Sequence, residues 1–359
     1  MNQFDLHRRM MNSIIRCSLP KDPLWGMRGL FALFLISLLF GCQSHDDRSE
    51  LISAPVVFDS YWEAFTRHYA YMDETVNWDS AYAVHRATLT AQTPDDDLLE
   101  HLHQMVNLTG DAHTNVFAPL GTVGNEAYFL NFRTNQVELG YNYFDELPLS
   151  TRIYDYGRLR GGVAYLRVKT FVGEAADFAF IDTILMQLAD APALIVDVRG
   201  NRGGLLSQCH ELARRFIDAE RVVCHVRARN GRDAGDFSEW EPVVLSPSPV
   251  RWTKPMVVLT NRTCYSAGER FLVCLKSVPG VVSVGDTTGG GSGSPLVREL
   301  SNGWLMRTSN TQTRLLNGRD FQKTGIPPDV VVWISGGDAR IMRDRILEEA
   351  VELLQGNAE

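Results

Sequence analysis

The chain has 359 residues, of which 45% are hydrophobic and 22% charged, and its formal net charge is −8 at neutral pH. This composition excludes an intrinsically disordered chain and provides apolar material for one large core or two modest ones. The net acidity and the lack of a long Lys/Arg cluster exclude a nucleic-acid partner, whose phosphates would call for a basic face.

Lys21 and Arg28 precede an apolar run over 30–40, which closes on Leu39-Phe40-Gly41-Cys42 and gives way to Gln43-Ser44-His45-Asp46-Asp47. The run is shorter than the roughly 20 residues that cross a bilayer as a helix, and it has the length of a signal-peptide apolar region. A small residue followed by Cys42 resembles the lipobox of bacterial lipoproteins, where that cysteine is acylated and becomes the mature N-terminus. The expectation is an export signal over 1–41, lipidation at Cys42 and a linker over 42–52. That would hold the protein in the bacterial cell envelope, lipid-anchored to a membrane on its periplasmic or outer-membrane face.

A helical domain is expected over 53–118. Phe58, Trp62, Phe65 and Tyr69 recur at helical spacing, and so do Leu98, Leu99, Leu102 and Val106. Thr93-Pro94-Asp95 reads as a helix start, with acidic residues placed to favour the positive end of the helix dipole. From 119 to 359 the pattern changes. Gly162-Val163-Ala164-Tyr165-Leu166-Arg167-Val168 alternates as a strand, 175–189 reads as a helix, and Ala193-Leu194-Ile195-Val196-Asp197-Val198 is a buried strand. A helix over 205–219, a strand over 256–260, a helix over 266–276, a strand over 281–284 and a closing amphipathic helix over 338–355 follow. Strand and helix alternating at this spacing imply an α/β fold around a mainly parallel sheet with flanking helices. Cys209, Cys224, Cys264 and Cys274 have no metal-ligand spacing and read as buried small apolar residues.

Three segments sit where strands run into loops, the usual place for chemistry in open α/β sheets. In Thr260-Asn261-Arg262-Thr263-Cys264-Tyr265-Ser266-Ala267-Gly268-Glu269, Ser266 falls at a helix start, where free N–H groups point outward. A serine there can attack a carbonyl while the Ala267 N–H holds the oxyanion. On local grounds, Ser266 and Glu269 also read as a plain capping box. Asp197-Val198-Arg199-Gly200-Asn201-Arg202-Gly203-Gly204 follows a buried strand, and its glycines let backbone N–H groups face a cleft. Gly110-Asp111-Ala112-His113-Thr114 leaves the helical domain, and imidazole is the usual base for an unactivated hydroxyl.

These three segments, in this order and with a final Gly325-Ile326-Pro327-Pro328-Asp329, resemble the tail-specific, or C-terminal-processing, protease family, and more closely its tricorn-core-like branch. The resemblance spans nearly the whole mature chain and implies a ClpP/crotonase-like protease core. It implies a serine peptidase acting on peptides or unfolded protein segments without a metal or cofactor, with Ser266 as nucleophile and His113 as base. Ala267 with Gly203 or Gly204 would form the oxyanion hole. The dyad branch places a Lys 25 residues after the Ser; that position is Gly291, and no Lys occurs between 277 and 319. The His branch therefore fits better. Two positions depart from it: Ala112 stands where a Ser is expected, and Gln322 where a Glu is expected. Gln322 is expected to accept the Nδ1–H of His113 and fix its tautomer, but without a charge to stabilise imidazolium, so the peptidase would be weakened. Asp111, Asp286 and Asp320 are the candidates to supply that charge. Gly289, Gly290 and Gly291, in a glycine-rich stretch lacking a Gly-Lys-Ser/Thr ending, are expected to form a flexible substrate-binding wall. Only about fifty residues separate His113 from Val163, which leaves no room for a PDZ domain with linkers. A catalytically silent peptide-binding lipoprotein of the same fold and an esterase are the alternatives.

Overall fold

The computed structural model describes residues 52–356 apart from 73–74, 126–134, 139 and 234. The expected leader over 1–41 and the lipidation site Cys42 lie outside the described residues, and among the described residues no helix is long and apolar enough to cross a membrane. The helices α1 (Ala54–His68), α2 (Trp78–Thr88) and α3 (Asp95–Asn107) come first, followed by a hairpin of β1 (Asn115–Ala118) and β2 (Gly121–Gly124). The expected boundary between 118 and 119 thus falls inside the turn of this hairpin. Next in the chain are β3 (Leu149–Ser150), β4 (Tyr154–Arg158), β5 (Ala164–Val168), α4 (Ala175–Ala179), α5 (Ile181–Gln187), β6 (Leu194–Asp197) and α6 (Leu206–Ala213). The chain continues with β7 (Arg221–Ala228), β8 (Glu241–Leu245), β9 (Met256–Thr260), α7 (Ala267–Lys276) and β10 (Val282–Gly285). It closes with β11 (Pro295–Glu299), β12 (Leu305–Ser309), β13 (Thr311–Arg314), β14 (Val330–Val331), α8 (Gly336–Arg340) and α9 (Arg345–Gly356).

The central sheet has seven strands in the order β14-β10-β9-β6-β5-β4-β3. Its first five strands run parallel, β4 pairs antiparallel with β5, and β3 pairs antiparallel with β4. Because successive side chains of a strand point to opposite faces, the continuous apolar runs read from the sequence feed two cores. Leu194, Val196, Met256 and Val258 face the core shared with α5, α6 and α7. Ile195, Val257 and Leu259 face the one closed by Ile346, Leu347 and Ala350 of α9. The expected helix over 175–189 is divided at Phe180 into α4 and α5. The closing helix is divided likewise, at Met342, which adopts a positive φ of 54°.

Two antiparallel sheets, ordered β11-β12-β1-β2 and β13-β7-β8, were not anticipated. Their strands are short, and many of their side chains are partly exposed, so no apolar run announces them. The first joins residues nearly two hundred positions apart: Asn115 of β1 lies opposite Arg307 of β12. Val116, Leu300, Trp304 and Met306 complete the core of α1, α2 and α3, so the helical segment packs on strands contributed from both ends of the chain.

At the C-terminal end of β6, Arg199 is 2% exposed and bonds Asp197 at 2.6 Å and Asp344 at 2.8 Å. Burial works against ionisation of Asp197, but the adjacent guanidinium outweighs it and holds the carboxyl below its usual range. Asp344 also accepts the Leu347 N–H at 3.1 Å and so starts α9. Removing Asp344 leaves two buried guanidinium N–H donors of Arg199 and the Leu347 N–H without their acceptors. We expect Asp344→Ala to lose roughly 3 kcal/mol in urea unfolding, whereas Glu63→Ala, which breaks only half-exposed pairs with Arg67 and Arg232, should lose less than about 1 kcal/mol.

Candidate active site

The β9 strand is buried at every residue and ends at Thr260. The chain then turns through Cys264, whose N–H donates to the Asn261 carbonyl at 2.9 Å, and Tyr265, whose N–H donates to the Asn201 carbonyl at 2.9 Å. Ser266 follows with φ 55° and ψ −121°, and α7 begins at Ala267. A non-glycine residue in this region is strained by about 1–3 kcal/mol and persists only where its surroundings hold it. A strained strand-to-helix turn of this kind presents a serine hydroxyl outward.

The hydroxyl faces the Glu269 N–H as in a capping box but makes no cap hydrogen bond of normal geometry. Its partner is instead His113, with Nε2 2.9 Å from Oγ across 153 positions of sequence. The reverse half of the box is formed, the Ser266 N–H donating to Glu269 at 3.0 Å. Glu269 is fully buried and also accepts from Thr288 Oγ1 at 2.5 Å and from the N–H groups of Gly290 and Gly291 at 2.7 Å each. Burial pushes its carboxyl up to about 7, and these four donors oppose the rise.

His113 is 3% exposed and directly precedes β1. Its backbone N–H donates to Asp111 Oδ1 at 2.9 Å, and the Tyr265 hydroxyl donates to the same oxygen at 3.3 Å. The Tyr265 ring lies 4.9 Å from the imidazole. Burial lowers the His113 pKa to about 4; Asp111 and the Gly293 backbone favour the charged ring, and Arg307 disfavours it. The ring is therefore neutral at physiological pH and able to take a proton.

The expected bond from His113 Nδ1 to Gln322 is not formed: Nδ1 and Gln322 Nε2 are both buried without a hydrogen-bond partner among the described residues. Gln322 Oε1 accepts instead from the N–H groups of Ser292 at 2.8 Å and Gly293 at 3.2 Å, since two converging backbone donors require its carbonyl end. Gln322 thus holds the loop beside the imidazole rather than the imidazole itself. Of the three acids weighed for the missing charge, Asp111 stands beside His113. Asp320 accepts from Tyr71 at 3.1 Å and Ser292 at 2.8 Å, and Asp286 accepts the Thr287 N–H at 2.7 Å.

Gly203 and Gly204 adopt φ of 94° and 142°, which only glycine accepts readily. A Cβ on Gly203 would lie 2.8 Å from Ala267 N and from Ser266 Cβ, so the two loops are in contact. The Gly203 N–H is already given to Asn201 Oδ1 at 2.9 Å, which removes it as an oxyanion donor. The N–H groups of Gly204 and Ala267 donate to no described residue. Gly204, Ser266 and His113 line one cavity of about 300 Å³.

The glycine-rich stretch differs from its expected role. Gly289, Gly290 and Gly291 are buried, and a Cβ on Gly289 or Gly291 would strike the Tyr265 ring at 2.6 or 2.2 Å. Their small size admits Tyr265, and two of their amides anchor Glu269. Gly291 alone of the three reaches the cavity, with Ser292, Gly293 and Ser294 beyond it. The four cysteines are buried and unpaired.

Glu269 was legible only as a cap, and Tyr265, Arg270 and Arg307 gave no sequence signal. Among the described residues no group of three or more His, Cys, Asp or Glu is placed to hold a metal.

A family model described as peptidase family S41 matches residues 162–332. A crystal structure of a protein from Parabacteroides merdae, provisionally described as a peptidase, superposes with TM-score 0.77 at 30% identity, covering 84% of this chain and 96% of that one. The carboxy-terminal processing proteases CtpA and CtpB of Bacillus subtilis are 28% identical over 168 residues and 23% identical over 266 residues. These alignments cover 44% and 71% of this chain but only 34% and 52% of those proteins, so the chain spans about half or less of the curated relatives' length. A photosystem II D1 C-terminal processing protease shares the fold at TM-score 0.54 and 15% identity, over 78% of this chain and 93% of that one.

The neutral, desolvated imidazole can be checked by NMR titration of the His113 ring, which we expect to show a midpoint near 4; a midpoint at the ordinary 6.5 would contradict its placement. A histidine whose folded pKa is depressed contributes stability above its unfolded value that is lost as pH falls. Relative to His113→Gln, the wild type should therefore lose stability between pH 6.5 and about 4. The comparison with the variant isolates this effect from Glu269, whose raised pKa acts in the opposite sense, costing stability as pH climbs from 4.5 to about 7.

Proposed function

We propose that this chain, which belongs to peptidase family S41, is a serine peptidase in which Ser266 is the nucleophile and His113 the base. The observation that carries this reading is the 2.9 Å contact between His113 Nε2 and an outward-facing hydroxyl held in a strained turn. Ser266 Oγ attacks the peptide carbonyl as its proton passes to Nε2. The tetrahedral oxyanion is held by the N–H groups of Ala267 and Gly204, and the imidazolium returns the proton to the leaving amine. Substrates are peptides or unfolded segments, since folded protein would not bring a scissile bond to a cavity of about 300 Å³. The export signal, the anchor at Cys42 and a place in the cell envelope remain part of this proposal on the sequence pattern alone.

The base works without a hydrogen-bonded acid. Asp111 favours the imidazolium through space, its Oδ1 being engaged by the His113 and Tyr265 donors. Gln322 acts through the loop that it holds. We read its lack of charge as the mark of a slow enzyme rather than an inert binder, a reading supported by the 2.9 Å contact of His113 with Ser266 and by the Gly204 and Ala267 N–H groups, which donate to no described residue.

A fluorophosphonate probe should label the wild type and leave Ser266→Ala unlabelled, and His113→Ala should lower kcat/KM on an unfolded protein by on the order of 10⁴. A folded, unlabelled wild type would assign the protein to peptide binding instead. Gln322→Glu preserves the acceptor for the Ser292 and Gly293 amides and adds negative charge. We expect it to raise both kcat and the His113 midpoint, and an unchanged kcat would show that charge at this position does not limit turnover.

A further inference from the structure

We propose that the cavity beside Ser266 receives a carboxylate of the peptide, so that an acidic group next to the scissile bond determines which peptides are cut. This rests on the peptidase reading above and names the substrate class of the same site.

The cavity wall carries Arg202, Arg270 and Arg307 and no Asp or Glu. In a protein of net charge −8, three guanidinium groups around one small cavity are a local inversion of sign. Arg270 stands one turn into α7, its N–H bonded to the Ser266 carbonyl at 3.0 Å. It is 4% exposed, and among the described residues its guanidinium donates only to neutral groups, Cys224 Sγ at 3.1 Å and Thr313 Oγ1 at 2.8 Å. Arg307 reaches the cavity from β12, opposite Asn115 and two positions along the strand pair from His113. Burial works against its charge, and Asp111 and Tyr265 favour it, yet it forms no ion pair with a described residue. The nearby Asp111 has one oxygen already committed to the His113 and Tyr265 donors.

A buried or half-buried cation without an anionic partner costs free energy, and proteins keep such charges where a ligand supplies the counter-charge. The planar guanidinium fork is matched to a carboxylate, which it can bind through two parallel hydrogen bonds. The rest of the wall fits the same occupant: Leu206 and Phe321 offer an apolar flank for the methylenes of a Glu or Asp side chain. A lysine or arginine in the same position would meet the like charges of Arg270 and Arg307 in a poorly solvated space.

Quenched fluorogenic peptides blocked at both ends, differing only in Glu, Gln or Lys beside the scissile bond, provide the test. We expect kcat/KM in the order Glu, Gln, Lys, with Glu at least about ten-fold above Gln. Arg307→Gln and Arg202→Gln should each shrink the Glu-to-Gln ratio, and Arg307→Glu should favour Lys. These positions are chosen because the more deeply buried Arg270 is a greater risk to folding. A second pair of peptides, neutral throughout and ending just after the scissile bond in a free carboxylate or an amide, identifies the source of the carboxylate. Preference for internal Glu assigns a side chain, and preference for the free acid alone assigns the chain terminus; either upholds the carboxylate pocket. Equal cleavage of Glu and Gln peptides together with equal cleavage of free-acid and amide peptides overturns it, as does a preference that survives both Arg→Gln changes. Fluorophosphonate labelling of the same preparation separates the two readings. Labelled enzyme without acid preference removes the pocket and keeps the peptidase. Unlabelled protein removes the peptidase, and fluorescence anisotropy of the intact Glu and Gln peptides then decides the pocket, tighter binding of Glu upholding it and equal binding overturning it.

Discussion

The Glu269 carboxylate is fully buried one turn inside α7, and its two oxygens accept hydrogen bonds from the Ser266 N–H, the Thr288 hydroxyl and the N–H groups of Gly290 and Gly291. A buried carboxylate is costly unless donors converge on it, and these four offset its desolvation. Each donor it needs belongs to a part of the site: one to the strained serine itself, three to the glycine-rich stretch that follows β10. The same interaction that keeps Ser266 at φ 55° therefore also fixes the loop that runs on through Ser292 and Gly293 to the imidazole. The positions of the proposed nucleophile and of the wall beside its proposed base are thus set by one carboxyl group.

The base is held by different means. His113 follows a turn closed by Asp111, and the strand that begins two residues later is pinned against β12. Tyr265, the residue before the nucleophile, packs on the ring and bonds the same Asp111 oxygen. Ser266 and His113 thus share a neighbour as well as a hydrogen bond. The lowered pKa of the imidazole follows from burial and from Arg307, and it leaves the ring neutral but a weaker base than a histidine backed by a carboxylate. Under the proposed mechanism, such an arrangement suits proton transfer but is poor at stabilising the charge that the transfer creates.

Rigidity comes from the loop after β6. Arg199 ties its start to Asp344 at the head of α9, and Asn201 bonds the Val168 carbonyl at 2.9 Å and the Gly203 N–H at 2.9 Å. With the Gly203 N–H spent in this way, Gly204, which lines the cavity and whose N–H donates to no described residue, is left as the candidate donor. An oxyanion hole needs donors that are already oriented when charge develops, and a loop braced at both ends suits the role proposed for Gly204.

The sequence by itself determined the parallel sheet, because strands buried on both faces must be apolar at every position, as in the runs 193–198 and 256–260. It also determined where chemistry could sit, since Ser266, His113 and the glycines at 203 and 204 each mark a strand or helix end with its own local signature. Gln322 was expected to bond His113 but accepts from Ser292 and Gly293, and Gly289 and Gly290 were given to substrate but pack under Tyr265 and bond Glu269. Tertiary structure alone decided those contacts, the choice of Gly204 over Gly203, and the gathering of Arg202, Arg270 and Arg307 around one cavity. The reason is physical: burial patterns and turn residues are local properties of a chain. Which amide is already bonded, which side chain fills the space above a glycine and which charges face one another depend on segments up to two hundred residues apart being brought together by β1 and β12.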